Sequence, residues 1–172
     1  MYCIRGETME KLFFWGHTEH GSNVTKACLS NFYPCKFEFN GKTFNFSEQC
    51  FMYQKAILFN DFEIAKQVLN ETDVRKIKAL GRKVKNFNNE LWDKHKEDFM
   101  FNACYAKFSQ NNELKDFLLS TGNREIVEAS PVDNIWGIGF SSDKAMENVN
   151  KWGQNLLGKV LMKVREDLNR WN

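Results

Sequence analysis

Proline is scarce in this 172-residue chain, with two occurrences. Long rigid linkers are thereby excluded. No long apolar run is present, and no membrane-spanning segment is expected. The start does not read as a secretory signal. No Cys-x-x-Cys pair occurs, and the cysteines are odd in number: Cys3, Cys28, Cys35, Cys50 and Cys104. A disulfide framework is therefore not expected, and a reduced, cytoplasmic protein with cysteines as packing residues is. The three histidines, His17, His20 and His95, have no ligand spacing around them, so no metal site is expected. Neither GxGxxG nor GxxxxGK[ST] is present, which removes the complete phosphate loops. No block of like charge stands out, and the formal net charge is +2. That argues against a nucleic-acid coat protein but leaves room for a local phosphate pocket.

What is abundant is apolar and aromatic. Apolar residues reach 42%, enough to drive one folded domain with a sizeable core. Phenylalanine alone occurs 16 times. Such rings mostly fill a core, and a surplus also suits a pocket that stacks a planar base.

Residues 1–11 read as a leader and 12–172 as a single domain. A strand signal at Leu12–Trp15 precedes a polar loop from Gly16 to Lys26. Cys35–Phe39 alternates with period two, Asn40-Gly41 is a two-residue hairpin turn, and Lys42–Phe44 returns. The remainder reads mainly as helix. Ser47 marks one helix start. Asp61, Thr72 or Asp73, Asn88 and Asn112 open others, and Gly81 and Thr121-Gly122 end two of them. Ile126–Ala129 is strand-like, Gly137-Ile138-Gly139 an irregular loop, Ser142 opens a short helix, and Asn155–Leu168 forms the last one. The expected fold class is α+β, a mainly helical domain around a small antiparallel sheet.

The chemistry concentrates in the helix opened by Ser47. Glu48 and Lys55 are two turns apart on a helix and nearly eclipsed, with Phe51 and Met52 between them. A carboxylate and an amine on a largely apolar face are costly unless paired or used. Three further clusters combine polar groups, indoles and glycines: Asn88–Trp92, Asp133–Gly139 and Trp152–Gly158. Each feature also has a plain structural reading. Glu48 can simply complement the helix dipole, Asp133 can form a turn, Lys55 can be a solvated amine, and Trp92 and Trp136 can be core residues. The residues alone support a pocket-bearing domain.

The ordered set of these clusters resembles the NADAR family, associated with NAD and ADP-ribose metabolism. The matching residues are Leu29-Ser30-Asn31-Phe32, Phe46-Ser47-Glu48-Gln49, Met52–Ala56, Gly81-Arg82, Trp92, Ala106-Lys107-Phe108, Leu119–Gly122, Val127–Ser130, Asp133–Gly139 and Gly153–Met162. The resemblance implies hydrolysis of a bond between ribose C1 and an exocyclic amine of a heterocycle, with no cofactor. The implied partners are ADP-ribosylated guanosine or ADP-ribosylated nucleic acid, or an early riboflavin-pathway ribosylaminopyrimidine phosphate. On this reading Glu48 stabilises charge at C1 or activates water. Lys55 can form a Schiff base with a ring-opened sugar, provided burial lowers its pKa. Asp133 is a second acid or a hydroxyl anchor. Trp92 and Trp136 wall the base, Asn31 binds the sugar or base edge, and Arg82 and Lys107 meet phosphate. A non-hydrolysing ADP-ribose or nucleotide-binding module is the alternative from another class, as is a purely structural interaction domain.

Overall fold

Asn40 and Gly41 both take positive φ, 48° and 72°, as a tight two-residue turn requires. They join β2 (Phe37–Phe39) to β3 (Lys42–Phe44), which pair antiparallel with Phe37 opposite Phe44. The computed structural model describes residues 9–170, so Cys3 and most of the expected leader lie outside the described residues. Lys11 already belongs to the first strand, β1 (Lys11–Phe14). That strand does not join the hairpin. It pairs in parallel with β4 (Glu125–Glu128), placing Phe14 opposite Glu128. Among the described residues the small sheet is thus two separate two-stranded pairs, of which the hairpin is antiparallel and the other parallel.

Around them pack seven α-helices among the described residues: α1 (Ser47–Leu58), α2 (Phe62–Asn70), α3 (Val74–Gly81), α4 (Asn89–Gln110), α5 (Asn112–Ser120), α6 (Ser142–Ala145) and α7 (Leu156–Arg170). Short polar side chains start several of them. Asp61 Oδ1 accepts from Ile64 N at 3.2 Å, Asp73 Oδ1 from Arg75 N at 2.8 Å, and Asn88 Oδ1 from Leu91 N at 2.8 Å. Each satisfies an amide that the helix itself leaves unpaired. Two of the backbone N–H bonds to Asp61, from Lys85 and Ile64, also hold its carboxyl below the usual range.

Helix α1 departs from the expected capping. Phe46, not Ser47, occupies the cap position and makes no side-chain bond there. Ser47 is fully buried inside the first turn, its Oγ 3.1 Å from Asn31 Oδ1. The carbonyl of Asn31 accepts from Glu48 N at 3.1 Å instead. A neighbouring loop therefore does the work of the cap. Gln49 fastens the same turn, accepting from Asn45 N and donating to Val68 O at 2.9 Å. α1 is buried on most sides, against α2, α3 and α4. A helix surrounded in this way needs no polar face.

Helix α7 is amphipathic, burying Leu157, Val160, Leu161, Val164 and Leu168 at helical spacing against α4 and β4. Its first amides, Leu156 N and Leu157 N, donate to the carbonyls of Ile135 and Trp136 at 3.1 and 3.0 Å. The amide-rich stretch before α7 thus grips the loop that follows β4. Asn155 completes the joint: its Nδ2 donates to Ile126 O at 2.9 Å and its Oδ1 accepts from Glu128 N at 3.0 Å. Its φ of 50° is a conformation asparagine tolerates better than alanine. Asn155→Ala should therefore leave two backbone groups of β4 unpaired and cost about 2–4 kcal/mol of stability. Urea unfolding followed by far-UV circular dichroism measures it, and an unchanged midpoint would show the joint to be dispensable.

Candidate active site

A cleft of about 220 Å³ opens between α1, α3, the start of α4 and the loop after β4. Glu48, Lys55, Asp133, Trp92, Trp136, Asn31 and Arg82 all line it. Seven of the eight residues singled out from the sequence are therefore brought to one place.

Glu48 comes from the first turn of α1 and is 6% exposed. Burial pushes its carboxyl above the usual range, and Asp133 adds to the push. Lys78, Lys55 and Arg82 oppose it. The group is a carboxyl whose ionisation depends on cations arranged around the cleft.

Lys55 sits on the same face of α1, half-buried. Its Nζ donates to Gly81 O at 2.8 Å and lies 4.6 and 5.2 Å from the ring centroids of Phe87 and Trp92. Desolvation by these neighbours lowers its pKa, against the attraction of Glu48, and Arg82 lowers it further. Gly81 permits this arrangement. A Cβ there would meet Met52 Sδ at 1.8 Å, so any side chain at this position would force the Met52 side chain to move.

Asp133 forms the turn of the plain structural reading. Its Oδ1 accepts from Ile135 N at 2.9 Å and Trp136 N at 2.8 Å, folding the loop on itself. The residue also lines the cleft. Trp136 meets Phe51 edge-on at 5.2 Å, and Trp92 packs against the same ring at 5.2 Å. Phe51 thus sets two half-buried indoles as cleft walls, while their edges still belong to the core.

Asn31 is more constrained than expected. Its Oδ1 is approached by Ser47 Oγ and by Cys104 Sγ at 3.8 Å, and its Nδ2 lies 3.1 Å from Met100 Sδ. A thioether is a weak acceptor, so the amide retains donor capacity towards the cleft.

Lys107 is the correction. It lies on the inner side of α4, 1% exposed, and does not line the cleft. Its Nζ donates to Ser30 O at 2.9 Å and lies 5.1 Å from the Phe108 ring centroid. It anchors the 30–33 segment from behind, and an ammonium this enclosed cannot reach a phosphate in the cleft.

Two lining residues went unassigned from the sequence. Lys78, one turn before Arg82 on α3, supplies the cation that most strongly favours ionised Glu48. Glu128, the last residue of β4, is a third carboxyl in the cleft. An i, i+4 pair of cations was a visible signal for Lys78. Glu128 carried none beyond its place in the Val127–Ser130 match.

The four described cysteines are free, and among the described residues no group of histidine, cysteine, aspartate and glutamate is arranged to hold a metal ion. No described helix is long and apolar enough to cross a membrane.

A deep cleft with carboxylates and a desolvated amine between aromatic walls defines an enzyme-like pocket on an α+β scaffold. The NADAR domain model matches residues 13–169, and the chain belongs to this family. It is 46% identical over 172 residues to a protein named N-glycosidase R617 from Acanthamoeba polyphaga mimivirus, covering 94% of this chain and 98% of that one. It is 32% identical to a riboflavin biosynthesis protein of Vibrio vulnificus, over 97% of this chain but 41% of that longer protein. Its fold matches the NMR structure of the Escherichia coli protein YbiA with a TM-score of 0.77 at 28% identity, covering 95% of this chain and 87% of that one.

Proposed function

We propose that this protein is an N-glycosidase that hydrolyses the bond between ribose C1 and an exocyclic amine of a heterocycle, releasing ADP-ribose from guanine bases. The observation that carries this reading is the convergence of Glu48 and Lys55 on one cleft walled by Trp92 and Trp136. Cleavage at C1 develops positive charge on the sugar, which a carboxylate at Glu48 stabilises before taking a proton from water. The indoles hold a planar base by stacking. Lys55, its pKa lowered by burial, is suited to add to the C1 of a ring-opened, amine-linked ribose.

The cationic rim fits a phosphorylated ribose. Lys78 on α3 and Arg82, the residue that caps that helix one turn later, both line the cleft. A diphosphate spans two such charges. Replacing either by alanine should raise KM about tenfold through the lost phosphate contact and also lower kcat, because both cations favour the ionised form of Glu48. Steady-state kinetics on each single variant measures this. A fall in kcat without a change in KM would remove both cations from substrate binding.

A second reading is cleavage of a ribosylaminopyrimidine phosphate. The modest cleft volume favours it, since a single ring and one phosphate fill the space more completely. The name of the Vibrio relative points the same way. Incubating the purified protein with ADP-ribosylated guanosine and, separately, with the pyrimidine compound tests both, with free ADP-ribose or ribose phosphate followed by mass spectrometry. Release from neither substrate would refute the hydrolase reading in favour of a binding module.

A further inference from the structure

The leaving nitrogen of an amine-linked riboside is a poor leaving group unless it gains a proton. Glu48 and Lys55 do not supply it on the reading above, since one takes a proton from water and the other must present a lone pair. The cleft contains a carboxyl with no other assignment. Glu128 Oε2 is buried and has no hydrogen-bond partner, although the residue lines the cleft. A buried carboxyl oxygen left without a partner is uncommon in folded proteins.

Its placement is fixed by the backbone. Glu128 N donates to Asn155 Oδ1 at 3.0 Å, and Glu128 O accepts from Ile138 N at 3.0 Å. Gly137 lies so close that a Cβ there would meet that carbonyl at 2.8 Å. The carboxyl is thus carried by the end of a strand held on both sides, which favours a defined position for chemistry.

Resting on the N-glycosidase reading, we propose that Glu128 is the general acid that protonates the departing exocyclic amine. In that step the C1–N bond breaks and its electron pair stays on nitrogen. The carboxyl proton of Glu128 passes to that nitrogen, which leaves as a neutral amine. Water supplies the hydroxyl at C1, directly or after an imine to Lys55 is hydrolysed, and its proton passes to Glu48. Proton exchange from Glu48 to Glu128 through solvent restores both groups. The sum is one riboside and one water giving one amine and one free sugar.

The surroundings keep the proton on Glu128. Burial is the largest influence and Asp133 and Glu48 add to it, while Lys78 opposes; together they raise the carboxyl to about 7. The other groups nearby do not reverse this. Lys55 and Arg82 line the same cleft but act on Glu48. The Cys104 thiol of α4 is pushed up to about 12 and stays neutral. At this position β1 presents Phe14 and the stretch before α7 presents Asn155, neither of which titrates. Burial pushes both carboxyls up, but three cations, Lys78, Lys55 and Arg82, oppose it at Glu48 and only Lys78 at Glu128, so Glu128 is the better placed of the two to carry the proton.

The test is Glu128→Gln, which keeps shape but has no acidic proton. The substrates are amine-linked ribosides of aminopyrimidines bearing increasingly electron-withdrawing substituents. For wild type, kcat/KM should depend weakly on amine basicity and decline as pH rises through about 7. The variant should lose about 10²-fold on the most basic amine and little on the least basic, and the decline near neutrality should disappear. An equal loss across the series would make Glu128 a positioning residue and overturn the inference, as would full activity throughout. Wild-type protein inert on every member would instead overturn the N-glycosidase reading, and this inference with it. Folding of the variant is checked by its thermal midpoint. Glu128 has a folded-state pKa above its unfolded value, so its contribution is fully favourable below the unfolded value and is lost as pH rises through about 7. At pH 8 the variant should therefore be at least as stable as wild type.

Discussion

Glu48→Gln should lower kcat by about 10²- to 10⁴-fold with KM changed little, the usual cost of losing a general base or a charge that stabilises an oxocarbenium-like transition state. Glutamine keeps the volume and hydrogen-bonding capacity of glutamate. What it lacks is the negative charge that Lys78, Lys55 and Arg82 favour. The variant should also remain folded. Burial raises the Glu48 carboxyl above its unfolded value, so the wild-type group is most favourable to folding at low pH and loses that contribution as pH rises through its folded value. A neutral amide at this position avoids the burial penalty on the charged carboxylate. Single-turnover assays and thermal unfolding at pH 7.5 separate the two effects. A fully active, folded Glu48→Gln protein would return Glu48 to a helix-terminal acid and would take the proposed chemistry with it.

Lys55→Arg should abolish turnover to a comparable extent, about 10²- to 10⁴-fold, if the amine forms a covalent imine with C1. Arginine retains the positive charge and can still reach towards Gly81 O and the Phe87 and Trp92 rings. It does not present a free lone pair, because the guanidinium stays protonated. Borohydride added during turnover should trap sugar on wild-type protein and leave Lys55→Arg unlabelled, with intact mass spectrometry as the readout. An active Lys55→Arg with no trapped sugar on either protein would leave direct attack by water and an electrostatic role for Lys55. The two substitutions are thus complementary: one removes charge and preserves shape, the other preserves charge and removes nucleophilicity.

Much of this site can be read from local signals. The spacing of Glu48 and Lys55 states a shared helix face, and the helix forms over Ser47–Leu58. Asp61, Asp73 and Asn88 announce helix starts because a short side chain reaches back only to its own first turn. Asn40-Gly41 specifies its hairpin for an equally local reason. The misreadings have tertiary causes. Ser47 looks like a cap, but Asn31, remote in sequence, takes over its partners. Lys107 looks like a phosphate ligand, and only the packing of α4 behind Ser30 shows that it is enclosed. Glu128 reads as one polar position in a four-residue strand. Its unpartnered oxygen and raised pKa exist only once α1, α3 and the Asp133 loop close around it.

The parallel pairing of β1 with β4 bears on how the protein comes into being on the ribosome. Lys11 and Glu125, whose side chains form an ion pair at one end of this pairing, are 114 residues apart in the chain. Contacts of such separation form slowly, because a long loop must be closed before they return any free energy. A nascent chain that has emerged only through α5 already carries Glu48, Lys55, Lys78 and Arg82. It has neither Glu128 nor Asp133 nor Trp136, and α7 is not yet there to grip their loop. Such a chain therefore holds the proposed nucleophile and carboxylate without the rest of their pocket. On the proposed function, the pocket is complete only after residues 121–172 have been made and β4 has docked onto β1.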